Sequence, residues 1–260
     1  GAPAADGAGP EPAVPQRQGG VDAPALARGL LREPPEPGED AAAMMSRLRG
    51  SVWQLACDPS GCRDIQQALT VLAAKDAAQL VAELHGHVAH AVVSPHANHV
   101  VQKVVEVMTP AAAAFVAEEL VGRGMWASRH RFGCRIVCRL LEHFAFADGA
   151  QALVDEILAN TESLCRDRFG HYVAQSVLEH GLARQRHKVW SVLCEDLLRN
   201  ASHRNASYVL QRCLTHCSAE DQRALAGRLL GAVAPLAQTP SGCNLVRALW
   251  RHPDAGPGGV

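Results

Sequence analysis

The residues that could do chemistry in this chain recur as a stripe along short amphipathic segments. In "SPHANHVVQKVVEV", Ser94 to Val107, helical spacing gathers Val100, Val101, Val104 and Val105 on one face and leaves Asn98, His99, Gln102 and Lys103 on the other. A face that merely meets solvent draws mainly on Glu and Lys. Asn and Gln are instead donor and acceptor at once, and at a spacing of four they stand one above the other. Such a pair can read a hydrogen-bonding edge, while the flat imidazole beside it can stack on a ring.

The same segment occurs six times, as "DPSGCRDIQQAL" from Asp58, "SPHANHVVQKVV" from Ser94, "HRFGCRIVCRLL" from His130, "DRFGHYVAQSVL" from Asp167, "HRNASYVLQRCL" from His203 and "TPSGCNLVRALW" from Thr239. With Cys62, Asn98, Cys134, His171, Ser207 and Cys243 as offset 0, successive copies lie 36, 36, 37, 36 and 36 residues apart. A period held this closely marks an array of structural repeats. Asp58, Ser94, Asp167 and Thr239 are good helix N-caps, and Pro59, Pro95 and Pro240 follow where a missing N–H costs nothing. Only Gly or Ala precedes offset 0, which predicts a close backbone approach between stacked repeats. Offsets +2, +3, +6 and +7 are apolar nearly throughout and face the predicted core, with Asp64 of the first copy as the exception.

Second apolar-periodic stretches lie between these segments, from "AAMMSRLRGSVWQLA" to "RALAGRLLGAVAPLA", and supply the other helix of each unit. The expected fold is an all-α curved solenoid of about six helical repeats over 41–251, at approximately 41–73, 74–109, 110–146, 147–183, 184–218 and 219–251. Residues 1–40 are rich in Pro, Gly and Ala and read as a disordered tail, apart from a short helix near Ala25 to Leu31. Residues 252–260 read as a flexible end.

The 260 residues are 48% hydrophobic but only 4% aromatic, so the core is drawn largely from Ala, Val and Leu. The first forty residues hold seven acidic and three basic groups, leaving the body at net +3 within a chain of net −1. Nine scattered Cys, no signal peptide and no run of 18 apolar residues point to a reducing compartment, with the cytoplasm expected and the nucleus or nucleolus as alternatives. The chain starts at Gly1 and not Met, which reads as a fragment or a processed product.

The stripe at offsets 0, +1 and +4 reads Cys62-Arg63-Gln66, Asn98-His99-Gln102, Cys134-Arg135-Cys138, His171-Tyr172-Gln175, Ser207-Tyr208-Gln211 and Cys243-Asn244-Arg247. Five of the six residues at +1 are Arg, His or Tyr, groups that stack on bases, and offsets 0 and +4 hold small or amide groups suited to base edges. "GCRIVCRLLEH", "GHYVAQSVLEHG", "ASYVLQRCLTH" and "ANHVVQKVVE" resemble the Pumilio (PUF) repeat family, over roughly Ala41 to Arg251. That resemblance implies one base of single-stranded RNA per repeat, with offsets 0 and +4 on the base edge and offset +1 stacking. It also implies post-transcriptional regulation of mRNA, typically through 3′ untranslated regions, by a monomer without cofactor, with protein co-regulators on the convex face. The order of the signatures, with "THCS" at Thr215 to Ser218, resembles repeats three to eight of an eight-repeat domain. The two leading repeats are then either lost or precede this chain.

In the family's antiparallel code the triplets imply 5′-C-A-(U or any)-(A or any)-U-A-3′, read from Cys243/Arg247 back to Cys62/Gln66. Cys138 departs from the usual Gln, and His171 from the usual Asn. Lys103, Arg139 and Arg212 at offset +5 are candidates for phosphate contacts, with solubility as the competing explanation. A body of net +3 implies an affinity only modestly dependent on salt.

Other readings compete. Cys134 with Cys138 and Cys213 with Cys217 have i,i+4 spacing, yet zinc sites gather four ligands more tightly, so no metal is expected. Trp53, Trp126, Trp190 and Trp250 lie off the stripe and are expected in packing. No nucleophile–base pair, phosphate loop or zinc-protease motif is present, so an enzyme is not expected. A HEAT- or armadillo-like protein scaffold would share the solenoid but has no need of flat cationic or aromatic groups every 36 residues. A Pumilio-like binder of structured RNA in ribosome biogenesis would keep the fold and lose the sequence reading.

Overall fold

A computed structural model of the chain describes residues 41–251; the tail expected over 1–40, with its short helix, and the end at 252–260 lie outside the described residues. Within 41–251 the chain is a curved all-helical solenoid, and each repeat runs through an exit helix, which in all but the first leaves the preceding stripe helix, then a short entry helix and then its own stripe helix. The stripe helices are Gly61–Val71, Ala97–Val107, Gly133–Phe144, Gly170–His180, Ala206–His216 and Pro240–Trp250, and each packs against the next.

The stretches between them were expected to form one helix apiece and form two. Exit helices such as Ala74–Ala82 and Pro110–Glu118 stop before entry helices such as Val88–Val93 and Gly124–Arg129. The break has a physical cause in the first three units. Gly50, Gly86 and Gly122 take φ of 81°, 78° and 78°, a left-handed conformation that a helix cannot continue through and that side chains with a Cβ rarely adopt. A carboxylate from the following repeat then closes each turn. Glu119 accepts from the Gly86 amide at 2.6 Å and the Val88 amide at 3.0 Å, and Glu83 and Glu156 do the same for Gly50 with Val52 and Gly122 with Gly124. Negative charge placed on the free amides of a helix start is favourable, and here it also ties neighbouring repeats together. Farther along, Arg228 reverses the polarity of the tie and donates to the Cys194 carbonyl at 2.6 Å.

Each stripe helix opens on a side-chain cap, as the sequence implies for four copies. Asp58 and Asp167 accept from two backbone amides each at 2.7–2.9 Å, Ser94 caps Ala97 at 3.0 Å and Thr239 caps Gly242 at 3.0 Å. His130 and His203 fill the same place through Nδ1, each accepting at 3.2 Å from the amide two residues on. The Gly requirement before offset 0 lies elsewhere than expected. A Cβ at Gly61, Gly133, Gly170 or Gly242 would come within 2.2–2.8 Å of the carbonyl oxygen of Leu55, Ala127, Leu164 or Leu236, so the tight backbone approach is between entry and stripe helix of one repeat, and at Gly133 a Cβ would also meet Val92 Cγ1 of the preceding repeat at 2.8 Å.

The core follows the repeat. Offsets +2, +3, +6 and +7 are buried in the first five stripe helices, Val100, Val101, Val104 and Val105 among them. Asp64 is also buried, and it meets Arg47 of the helix Ala41–Leu48 at 3.5 Å, so this inward carboxylate has a cation beside it. In the sixth helix Leu245 and Leu249 remain buried, whereas Val246 is half-buried and Trp250 is 56% exposed. The +3 and +7 side therefore faces the next repeat, and among the described residues no seventh stripe helix follows. This corrects the packing expected of Trp250. Trp53 does pack between repeats, stacking on His87 with centroids 4.3 Å apart and planes 8° apart. Trp126 and Trp190 lie partly buried against the core.

Candidate nucleic-acid interface

Stacking the six stripe helices in register aligns their polar faces, because every residue of the pattern keeps the same height and angle on its helix. Arg63, His99, Arg135, Tyr172, Tyr208 and Asn244 at offset +1 are all exposed, and Tyr172 and Tyr208 expose 54% and 47% of their surface. Grooves lie between successive helices. One runs between Arg135 and Tyr172 and contains Cys134 and Cys138; the next runs between Tyr172 and Tyr208 and contains His171 and Gln175. A third is lined by Tyr208, Gln211, Gln175, Ala248 of the last helix and Arg251 just beyond it. Flat groups thus form the walls of two adjacent grooves, and residues of offsets 0 and +4 lie within them.

The residues at offset 0 are more deeply placed than a surface stripe implies. Cys62, Asn98, Cys134, His171 and Ser207 are buried, Asn98 completely, and only Cys243 of the last repeat is half-buried. Burial forces each to satisfy its polar atoms locally. Asn98 donates Nδ2–H to the Ser94 carbonyl at 2.7 Å, and its Oδ1 accepts from Gln102 Nε2 at 2.9 Å. Ser207 donates its hydroxyl to the Arg204 carbonyl at 3.1 Å, which leaves the oxygen lone pairs free to accept. Gln66 and Gln175 fold back onto the offset-0 carbonyls of Cys62 and His171 at 2.9 and 3.2 Å. Gln211 differs: its Nε2 is buried with no hydrogen-bond partner among the described residues, an orphaned donor in the groove beside Tyr208. A buried donor without a partner carries a desolvation cost of about 1–3 kcal/mol that an incoming acceptor would relieve. Arg247 is exposed and holds Asn244 Oδ1 at 3.2 Å.

His171 acquires a defined tautomer. Its Nδ1 lies 3.0 Å from the Asp167 carbonyl, which can only accept, so the proton sits on Nδ1 and Nε2 is an acceptor in the neutral ring. Burial lowers its pKa below the usual imidazole value against the opposing pull of Asp167, which favours that neutral ring. His99 is lowered too, by burial and by Arg135 and His96. Burial pushes the Cys134 thiol up to about 11 and Cys138 to about 12, so both are weakly hydrogen-bonding thiols and not thiolates. No group of three His, Cys, Asp or Glu arranged to hold a metal occurs among the described residues.

The offset +5 cations are engaged with carboxylates. Lys103 meets Glu106 at 2.5 Å, Arg139 bridges Glu142 at 2.5 Å and Glu106 of the preceding repeat at 3.3 Å, and Arg212 meets Glu179 of the preceding repeat at 3.1 Å. Although partial burial works to raise it, Lys103 and Arg139 hold the Glu106 carboxyl below its usual range. The Arg139–Glu106 and Arg212–Glu179 pairs tie neighbouring repeats together, and all four pairs offset the charge available to a polyanion.

Comparison with known proteins agrees with this geometry. The profile of the Pumilio-family RNA binding repeat matches five times, at residues 51–85, 92–121, 128–158, 160–194 and 201–230, so each match begins near an entry helix and the last stripe helix lies beyond them. The chain is 31% identical over 98 residues to Pumilio homology domain family member 4 of Saccharomyces cerevisiae, covering 38% of this chain and 11% of that protein. It is 33% identical over 95 residues to the putative chloroplastic pumilio homolog 8 of Arabidopsis thaliana, covering 35% and 17%. The matched regions thus span less than a fifth of these relatives. Among solved structures, the Puf4 RNA-binding domain bound to an HO endonuclease 3′ UTR sequence superposes with a TM-score of 0.71 at 26% identity, covering 77% of this chain and 62% of that one. PUF-8 in complex with PBE-RNA shares the fold, with a TM-score of 0.77 at 21% identity over 82% and 64%. With family repeats matched across more than half its length on a solenoid of the same build, the chain belongs to the Pumilio family of RNA-binding repeat proteins.

Proposed function

We propose that this chain binds single-stranded RNA with one base per repeat and that it regulates the stability or translation of mRNA. The observation that carries the proposal is the alternation along one face of exposed flat groups at offset +1 with grooves holding the residues of offsets 0 and +4. A base entering the groove between Tyr172 and Tyr208 would stack on both rings, with its edge toward His171 and Gln175. In a duplex the base faces are stacked and the pairing edges are engaged, so the arrangement favours unpaired RNA. Relatives in complex with 3′ UTR sequences support messenger RNA as the target class.

The site residues then take these roles. Ser207/Gln211 and Cys62/Gln66 read adenine, Asn98/Gln102 reads uracil and Cys243/Arg247 reads cytosine. Cys134/Cys138 stacks a base that it reads weakly, because a thiol replaces an amide. His171, with Nε2 as acceptor, takes a base that presents an N–H donor, for which uracil is suited.

Selection from randomised RNA with the full chain tests the register. The expected enrichment is 5′-C-A-N-N-U-A-3′, with U favoured at the third position. Enrichment of structured RNA with no linear motif would support a role in ribosome biogenesis instead, and the reversed order would overturn the antiparallel register.

A further inference from the structure

The cations expected to meet phosphate at offset +5 are engaged with Glu106, Glu142 and Glu179, whereas a second set lies on the same face. Arg131, Arg168 and Arg204 occupy offset −3, in the turn that leads into the third, fourth and fifth stripe helices. Repeats one, two and six have Pro59, Pro95 and Pro240 at that place, so the cations are confined to three consecutive repeats. All three Arg are exposed, and among the described residues none is in an ion pair.

Their placement is tied to the grooves. Arg131 and Arg168 both line the groove between Arg135 and Tyr172, and Arg168 and Arg204 both line the groove between Tyr172 and Tyr208. Each of these base-sized slots therefore has a guanidinium from both flanking repeats. Two of the three are directed by an adjacent ring: the Arg131 guanidinium carbon lies 4.3 Å from the Phe132 centroid and that of Arg168 lies 5.2 Å from Phe169. A cation–π contact of this kind holds the side chain over the ring without neutralising its charge. Arg204 has Asn205 in place of the Phe, and its charge is felt at His171 within the groove.

Resting on the single-strand reading above, we infer that Arg131, Arg168 and Arg204 are a phosphate-contacting row which grips the RNA backbone beside the third to fifth repeats. Bases enter the slots edge first, so the sugar-phosphate chain must run along their mouths. A planar guanidinium there can donate two hydrogen bonds to one phosphate. The row supplies position and affinity, and the offset 0 and +4 residues supply the base identity.

The test compares the salt dependence of binding to a single-stranded RNA carrying 5′-CAUAUA-3′ for three forms of the full chain: unaltered, R131Q/R168Q/R204Q and K103Q/R139Q/R212Q. For single strands each phosphate contact contributes about 0.7 to the slope of log affinity against log salt. The offset −3 triple variant is expected to flatten the slope by about 2 while keeping its base preference and helical circular dichroism. The offset +5 triple variant is expected to lower thermal stability more than it changes the slope. Retained binding with an unchanged slope in the offset −3 variant, or a slope flattened only by the offset +5 variant, would overturn the inference alone. Failure of the unaltered chain to bind single-stranded RNA would overturn the reading of the stripe and this inference with it.

Discussion

Replacing Tyr172 and Tyr208 together by alanine is expected to reduce RNA affinity more than any other pair of changes on the stripe. The two rings face the same groove, and each also borders the groove on its other side, so the double variant strips walls from three consecutive base sites. Each base stacked on an aromatic ring is worth about 1–3 kcal/mol by alanine substitution, which is roughly 5- to 150-fold in affinity for each ring. The fold should survive, because both side chains are about half exposed and neither belongs to the buried core. The nearest internal loss is the contact of Tyr172 with the His171 ring, whose centroids are 4.0 Å apart. Fluorescence anisotropy on the folded double variant checks the affinity, and a Tyr→Phe pair, which keeps the rings, should bind nearly as the unaltered chain does. Unchanged affinity in the alanine pair would remove the stripe from the RNA interface.

Asn98→Ser combined with Gln102→Glu is expected to move the preference at the fifth base of 5′-CAUAUA-3′ from uracil to guanine. In the unaltered chain Gln102 donates to Asn98 Oδ1, and Asn98 donates to the Ser94 carbonyl. The amide of Gln102 can turn outward to exchange its internal bond for one to the base. Glu at 102 has only acceptors, which match the donors on the pairing edge of guanine and repel the carbonyls of uracil. Ser at 98 can make the helix-internal bond that Ser207 makes to its own third-preceding carbonyl. The discrimination should be about 1–3 kcal/mol, by analogy with other paired contacts to base edges. Titrating both proteins with RNAs that differ only at that base measures it, and an unchanged preference in a folded variant would mean that this pair does not read RNA.

The repeat period, the six stripe helices, four of their caps and their buried offsets are legible in the sequence, because each depends on local chemistry that recurs in register. His130 and His203 as caps are not, since a ring nitrogen taking the part of an Asp carboxylate carries no ordinary cap signature. The division into entry and exit helices is also hidden. Apolar periodicity continues through Gly86 and Gly122, and what stops the helix is a positive φ closed by Glu119 or Glu156 from the next repeat, more than 30 residues away. The stripe residues are legible from their register, but their depth is not. A pattern that places Asn98 opposite the valines cannot show how deep it lies in the folded stack, which is why a face read as exposed proves to have a buried floor. Likewise the Glu partners at offset +8 stand in the sequence, yet pairing across repeats appears only once the helices are stacked. The Arg of "HRFG", "DRFG" and "HRNA" is visible in the sequence but stands outside the stripe helices, where a search for a helical face passes over it.

In the proposed mode of binding, unpaired bases are read one by one along the stripe. Titrating the full chain with single-stranded 5′-CAUAUA-3′, with the same sequence in a duplex, and with single-stranded 5′-CCUACC-3′ tests it most directly. The third RNA replaces the three bases assigned to Ser207/Gln211, Asn98/Gln102 and Cys62/Gln66. Binding to the first is expected, with a loss of at least about tenfold for the third given about 1–3 kcal/mol per misread base, and no comparable binding to the duplex. Equal affinity for the duplex and the single strand would contradict it.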